Sequence, residues 1–183
     1  MSIVKANKWQ NIDGLINSTV LQTQYVSSST RTTVNSTSFA EASTAYRAVI
    51  TPRFSNSLIL LTYYIPCNPG ANYATNTIFT VRAFRSQGGT KSYNLTTAGN
   101  SNGSRQVFAG RTIRPPGYDG NDPMWVYFPA LDQPNTTAQL EYGFEVMRES
   151  GGTGTLYFGN SAGDTAIWGF DHDIFIMAQE IAQ

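Results

Sequence analysis

The chain has 183 residues, enough for one domain that buries roughly 70% of its unfolded surface and too few for two full ones. Only 13% of the residues are charged, and 12 basic side chains balance 12 acidic ones, so there is no electrostatic case for binding nucleic acid or an anionic membrane. Cys67 is the single cysteine, which excludes an intrachain disulfide and a cysteine-based metal site, and no apolar run approaches the ~20 residues of a membrane helix. A surface with so little charge must be built from Ser, Thr, Asn, Gln and Gly, or hidden in an assembly.

In chain order, the first 19 residues come apart from the rest. MSIVKANKWQ turns polar after two apolar residues and lacks the pattern of a secretory leader. Trp9, Ile12, Leu15 and Ile16 are apolar anchors set among Lys, Asn and Gly. A segment this short cannot bury them alone, so residues 1–19 are expected to be an arm that docks on a neighbour, and residues 20–183 a single domain.

From residue 20 onward the rhythm is short β-rich runs broken by Gly, Pro, Asn and Ser. Strands are expected at 20–26, 45–50, 58–65, 78–85, 106–109, 125–128, 138–148, 155–158 and 173–178. Ser38 and Glu41 have capping-box spacing with alanines following, but Val49-Ile50-Thr51 before Pro52 favours a strand in that region. The clearest alternation lies at 138–148. Ala138, Leu140, Tyr142, Phe144 and Val146 share one face; Gln139, Glu141, Gly143 and Glu145 share a wetter one.

Residues 58–65 and 173–178 break that alternation, being apolar on both faces. A sandwich covers only one face of each sheet, so these strands are expected at subunit contacts through Leu58, Leu60, Tyr63, Ile174 and Ile176, the alternative being a long loop of the same chain folded over the sheet. The fold class is all-β, an antiparallel β-sandwich or jelly roll with an extended N-terminal arm.

Sites of chemistry are sparse. Asp171-His172-Asp173 is the one cluster with catalytic residue types, but strand alternation puts the two Asp opposite the His, so it reads as a solvated turn. Tyr118-Asp119-Gly120-Asn121-Asp122 alternates oxygen donors without the closing Glu of a calcium loop. Gly151-Gly152-Thr153-Gly154 lacks the Lys-Ser/Thr of a phosphate loop. Glu141 and Glu145 share a strand face about 14 Å apart, too far for a glycosidase pair. The N-x-S/T triplets at Asn17, Asn35, Asn94, Asn102 and Asn135 are expected by chance in such a composition. No enzyme, cofactor or metal is therefore expected. Among the aromatics, Trp125, Tyr127 and Trp168 flank loops, where they would suit a glycan or a protein hot spot.

Several pieces carry a resemblance. They are Ile3-Val4-Lys5-Ala6-Asn7-Lys8-Trp9-Gln10-Asn11, Val20-Leu21-Gln22, Thr37-Ser38-Phe39, Val49-Ile50-Thr51-Pro52, Ser55-Asn56-Ser57 with the apolar strand after it, and the closing Ile174-Phe175-Ile176-Met177-Ala178-Gln179-Glu180-Ile181. Together they resemble structural proteins of tailed bacteriophages, especially marine and cyanobacterial ones. The likeness covers the two ends and the first third; the stretch from about 66 to 172 adds nothing to it. It implies a trimeric jelly roll similar to tumour-necrosis-factor and C1q modules, serving in the virion as a tail-fibre or appendage piece or as capsid decoration. The implied partners are the chain itself as a homotrimer, other virion proteins and a host surface glycan, with assembly in the host cytoplasm. Those proteins usually carry Lys where Leu58 stands, so more covered apolar surface is expected here. The competing expectation is a lectin-like carbohydrate-binding module.

Overall fold

The strand-length apolar runs become strands because each gives one buried side chain every second residue, and turn chemistry separates them. The computed structural model describes residues 20–69, 77–95, 109–113, 124–159 and 172–183. In chain order the strands are β1 (Val20–Ser28), β2 (Thr32–Val34), β3 (Ala40–Glu41), β4 (Ala48–Ile50), β5 (Leu58–Pro69) and β6 (Phe79–Gln87). They continue as β7 (Thr90–Ser92), β8 (Gly110–Ile113), β9 (Met124–Asp132), β10 (Leu140–Arg148), β11 (Leu156–Phe158) and β12 (Ile174–Ile181).

They form two antiparallel sheets of six strands each, packed as a sandwich. In the first, β1 pairs with β12 and β12 with β5; β9 lies along the other side of β5, and β11 and β2 extend from its far end. In the second, β3 and β4 flank one side of β10, β6 lies on the other, and β7 and β8 pair with β6. The expected all-β sandwich is the observed architecture.

Between the sheets, Ile59, Leu61, Tyr63 and Ile65 of β5 meet Ile174, Ile176 and Ala178 of β12 and Val126, Phe128 and Ala130 of β9. Facing them are Leu140, Tyr142, Phe144 and Val146 of β10 with Phe79, Val81 and Ala83 of β6. Burying each large side chain stabilises the fold by about 1.5–3 kcal/mol. Tyr63 and Phe128 stack across neighbouring strands at 4.6 Å between centroids.

Two local expectations are corrected. Where a strand was expected over 45–50, Thr44–Tyr46 is a short 3-10 turn capped by Ser43, whose hydroxyl accepts from the Ala45 N–H at 3.1 Å; the strand starts only at Ala48. Ser38 does not cap a helix, since Ala40–Glu41 is extended and pairs with β10. Of the strand expected at 106–109 only Ala109 is among the described residues.

The second correction concerns the face of β10 expected to be wet. Glu145 is 5% exposed, because Arg82, Lys91 and Tyr93 all reach its carboxylate. Glu41 joins Arg47 and Lys91, and Arg47 also donates to Glu141. Arg82 lies between the rings of Phe39 and Tyr93, 3.8 and 3.7 Å from their centroids, a favourable placement for a cation. Gly143 is a glycine for a steric reason: a methyl there would meet the Phe84 ring tip at 2.7 Å.

Two more carboxylates are buried inside the sandwich, in one cross-strand row on either side of Ile59. Asp132 accepts from Arg85 (2.9 Å) and from the Tyr142 hydroxyl (2.8 Å), tying β9 to the second sheet. Glu180 is 0% exposed and accepts from Gln22 Nε2 (2.6 Å), Ser57 Oγ (2.7 Å) and the N–H groups of Arg53 (2.7 Å) and Phe54 (3.2 Å). Burial alone would raise the Glu180 carboxyl, but these hydrogen bonds outweigh it and hold the group below the usual carboxylate range.

Candidate functional site

The Glu180 knot fixes the outward face of the first sheet. Gln22 donates both to Glu180 and to the Thr51 carbonyl (2.7 Å), so β1, the 51–57 turn and β12 are locked together. Gln22, Ser57 and the backbone N–H groups of Arg53 and Phe54 meet at this one carboxylate.

With odd-numbered residues of β5 turned inward, the even ones face out. Leu58, Leu60 and Thr62 are partly exposed and Tyr64 is 37% exposed. Register continues this face across the sheet. Phe175, Tyr64 and Tyr127 stand directly opposite one another on β12, β5 and β9. Tyr25 of β1 stands opposite Met177 in the adjacent row, and its ring lies diagonally 5.6 Å from that of Phe175. The next rows are Met177, Thr62 and Pro129, then Gln179, Leu60 and Leu131, then Ile181 and Leu58. Trp125, 50% exposed, lies beyond the aromatic row.

Among the described residues, none that points outward within these four strands is charged. The nearest carboxylate is Asp173, just before β12, which accepts from the Ser27 hydroxyl. A face four strands wide and about eight residues long spans roughly 19 by 27 Å, on the order of 500 Å² in plane. That area is smaller than the ~800 Å² each partner contributes to a standard specific interface.

The expected site residues divide. Leu58 and Leu60 lie on this face. Tyr63, Ile174 and Ile176 do not: each is 0% exposed and fills the chain's own core, because alternation sends them to the opposite side from Leu60. Their assignment to a subunit contact is therefore corrected. Trp125 and Tyr127 are exposed, but in a strand rather than at a loop tip. Trp168 and the arm residues Trp9, Ile12, Leu15 and Ile16 lie outside the described residues, as do Asp171 and the 118–122 loop. Tyr25, Tyr64, Pro129, Phe175 and Met177 belong to the face and were not singled out from sequence. No signal within β5 marks its outward side, since hydroxyls stand on both: Tyr63 is buried and Tyr64 is exposed.

Elsewhere the chemistry is engaged in structure. His172 meets Trp125 edge-on at 6.3 Å. Glu141 and Glu145 are held by cations. Burial pushes the Cys67 thiol up to about 12, which keeps it protonated. Among the described residues no three His, Cys, Asp or Glu side chains are grouped to hold a metal, and no helix is long and apolar enough to cross a membrane. No family model matches the chain, and no curated protein matches it in sequence.

Proposed function

We propose that this chain is a structural protein of a bacteriophage virion, a tail-fibre or appendage piece or a capsid decoration, that works by packing against copies of itself and its neighbours. The observation that carries this is the uncharged face formed by β1, β12, β5 and β9. Five exposed or half-exposed aromatics and three partly exposed leucines on one side of a sheet are the makings of a protein contact. The absence of charge leaves nothing to repel an identical surface. The sequence resemblance supplies the virion setting and the expectation of a homotrimer, with residues 1–19 docking on another virion protein.

The test is the mass of the intact protein in native solution. A species near three times the 20.0 kDa chain supports the trimer, and a stable monomer at micromolar concentration removes it. Deleting residues 1–19 should prevent incorporation into particles while leaving the melting transition in place; normal incorporation would refute the docking arm.

A second reading is favoured by the row Phe175, Tyr64 and Tyr127 with Tyr25 diagonal to it, since neighbouring aromatic rings can stack on pyranose rings. It makes the chain a lectin-like module for a host surface glycan. It predicts polysaccharide binding that Tyr127→Ala abolishes in a monomeric protein, whereas the assembly reading predicts a change of mass instead.

A further inference from the structure

The two margins of the first sheet are built differently. β9, at one margin, carries Pro129 in mid-strand, which has no N–H to offer, and Arg111 Nη1 donates to the Tyr127 carbonyl at 3.3 Å. Both devices discourage another strand from adding there. β1, at the other margin, has the sequence VLQTQYVSS, with no proline and no charge. Among the described residues it pairs on one side only, with β12, and Thr23, Gln24 and Tyr25 are exposed in succession. The register shifts between Val20 and Gln22, but from Gln22 to Ser28 the strand runs regularly with an edge that is open among the described residues, which is a template for pairing.

We propose that β1 pairs antiparallel with β1 of a second copy across a two-fold axis at Gln24, so that the first sheets of two copies run on as one. The strand is its own complement. In this register Tyr25 stands opposite the partner's Thr23, an aromatic and β-branched pair of the kind that stabilises antiparallel strands. Gln22 stands opposite the partner's Val26, and Gln24 faces the partner's Gln24, where each amide can donate and accept. No charge meets a like charge, because the strand has none. The Glu180 carboxylate holds Gln22 in place beforehand, so little ordering is needed. A two-fold normal to the sheet keeps both uncharged faces on the same side, continuous across the joint. The edge borders the face and shares Tyr25 with it, but strand pairing leaves Tyr64, Tyr127 and Phe175 uncovered, so this contact is compatible with the self-assembly proposed above and does not require it.

Full-length Gln24→Cys tests the pairing, since a residue on the axis stands opposite itself and a disulfide traps even a weak contact. The native Cys67 is 2% exposed and does not compete. Under mild oxidation Gln24→Cys should form a covalent dimer. Val49→Cys, at a position 42% exposed on the other sheet, should remain a monomer. Adding Thr23→Lys with Tyr25→Lys sets like charges opposite each other and should slow the cross-link about tenfold; Thr23→Lys with Tyr25→Glu should restore it. An unchanged melting transition in reductant shows that each variant is folded. No dimer from folded Gln24→Cys, equal cross-linking at Val49→Cys, or a rate indifferent to the charge pairs overturns the proposal. Occupation of the edge by the chain's own first residues would give the first of these results. The face contact is read separately, from the mass of a Leu60→Lys variant, whose substitution lies on β5, away from the edge.

Discussion

The two outward faces of the sandwich use charge in opposite ways. On the second sheet, Glu41, Glu141 and Glu145 are matched by Arg47, Arg82 and Lys91, and Phe39, Phe84 and Tyr93 lie among them. This face covers itself: six side chains in a chain with few charges close over β10 and β6. On the first sheet the outward residues of four strands carry no charge, and their aromatics remain exposed. That difference between a charge-covered face and an uncharged one is the observation on which the proposed self-assembly rests.

The largest expected effect on stability comes from breaking the covered face. Glu145→Ala leaves Arg82 and Lys91 without their nearly buried acceptor and should cost about 2–3 kcal/mol, lowering the melting temperature by roughly 5–10 °C. Gly143→Ala drives a methyl into the Phe84 ring beneath Arg47 and should cost about 1–3 kcal/mol, read from the denaturation midpoint. Acid should act on the same face and on the Glu180 knot. For Glu41, Glu145 and Glu180 burial raises the carboxyl, but the hydrogen bonds they accept outweigh it, so each ends below its ordinary 4.5. The unfolded chain therefore binds protons first. The stability these groups contribute is fully present above about pH 4.5 and is lost as pH falls through their lower folded values. A melting curve series should be flat from pH 6 to 8 and decline below that point. The smallest effect is expected on the bare face, where Leu60→Lys should change monomer stability by no more than about 0.5 kcal/mol while altering assembly.

The contrast was only partly visible in the sequence. The buried side of β10 could be read from Leu140, Tyr142, Phe144 and Val146, because two-residue alternation is a local property. The closed state of its other side could not, since Arg82, Lys91 and Arg47 reach Glu145, Glu41 and Glu141 from other strands. In β5 the doubled apolar character was legible, and the structure leaves Leu58 and Leu60 on its outward side partly exposed. Which parity points outward was not, and Tyr63, Ile174 and Ile176 were misplaced for that reason. A one-residue shift of register exchanges the two faces, and only pairing with β12 and β9 decides it. Burial of Glu180 was equally hidden. Its donors at Gln22, Arg53, Phe54 and Ser57 lie more than a hundred residues away in sequence.

The most direct test compares the native mass and melting temperature of the wild-type chain with those of a Leu60→Lys/Tyr127→Lys double variant. The account predicts a multimer for the wild type, and for the variant a folded monomer melting close to the dissociated wild type. A variant that keeps the wild-type oligomeric mass, or a wild type that is monomeric at the same concentration, would contradict it.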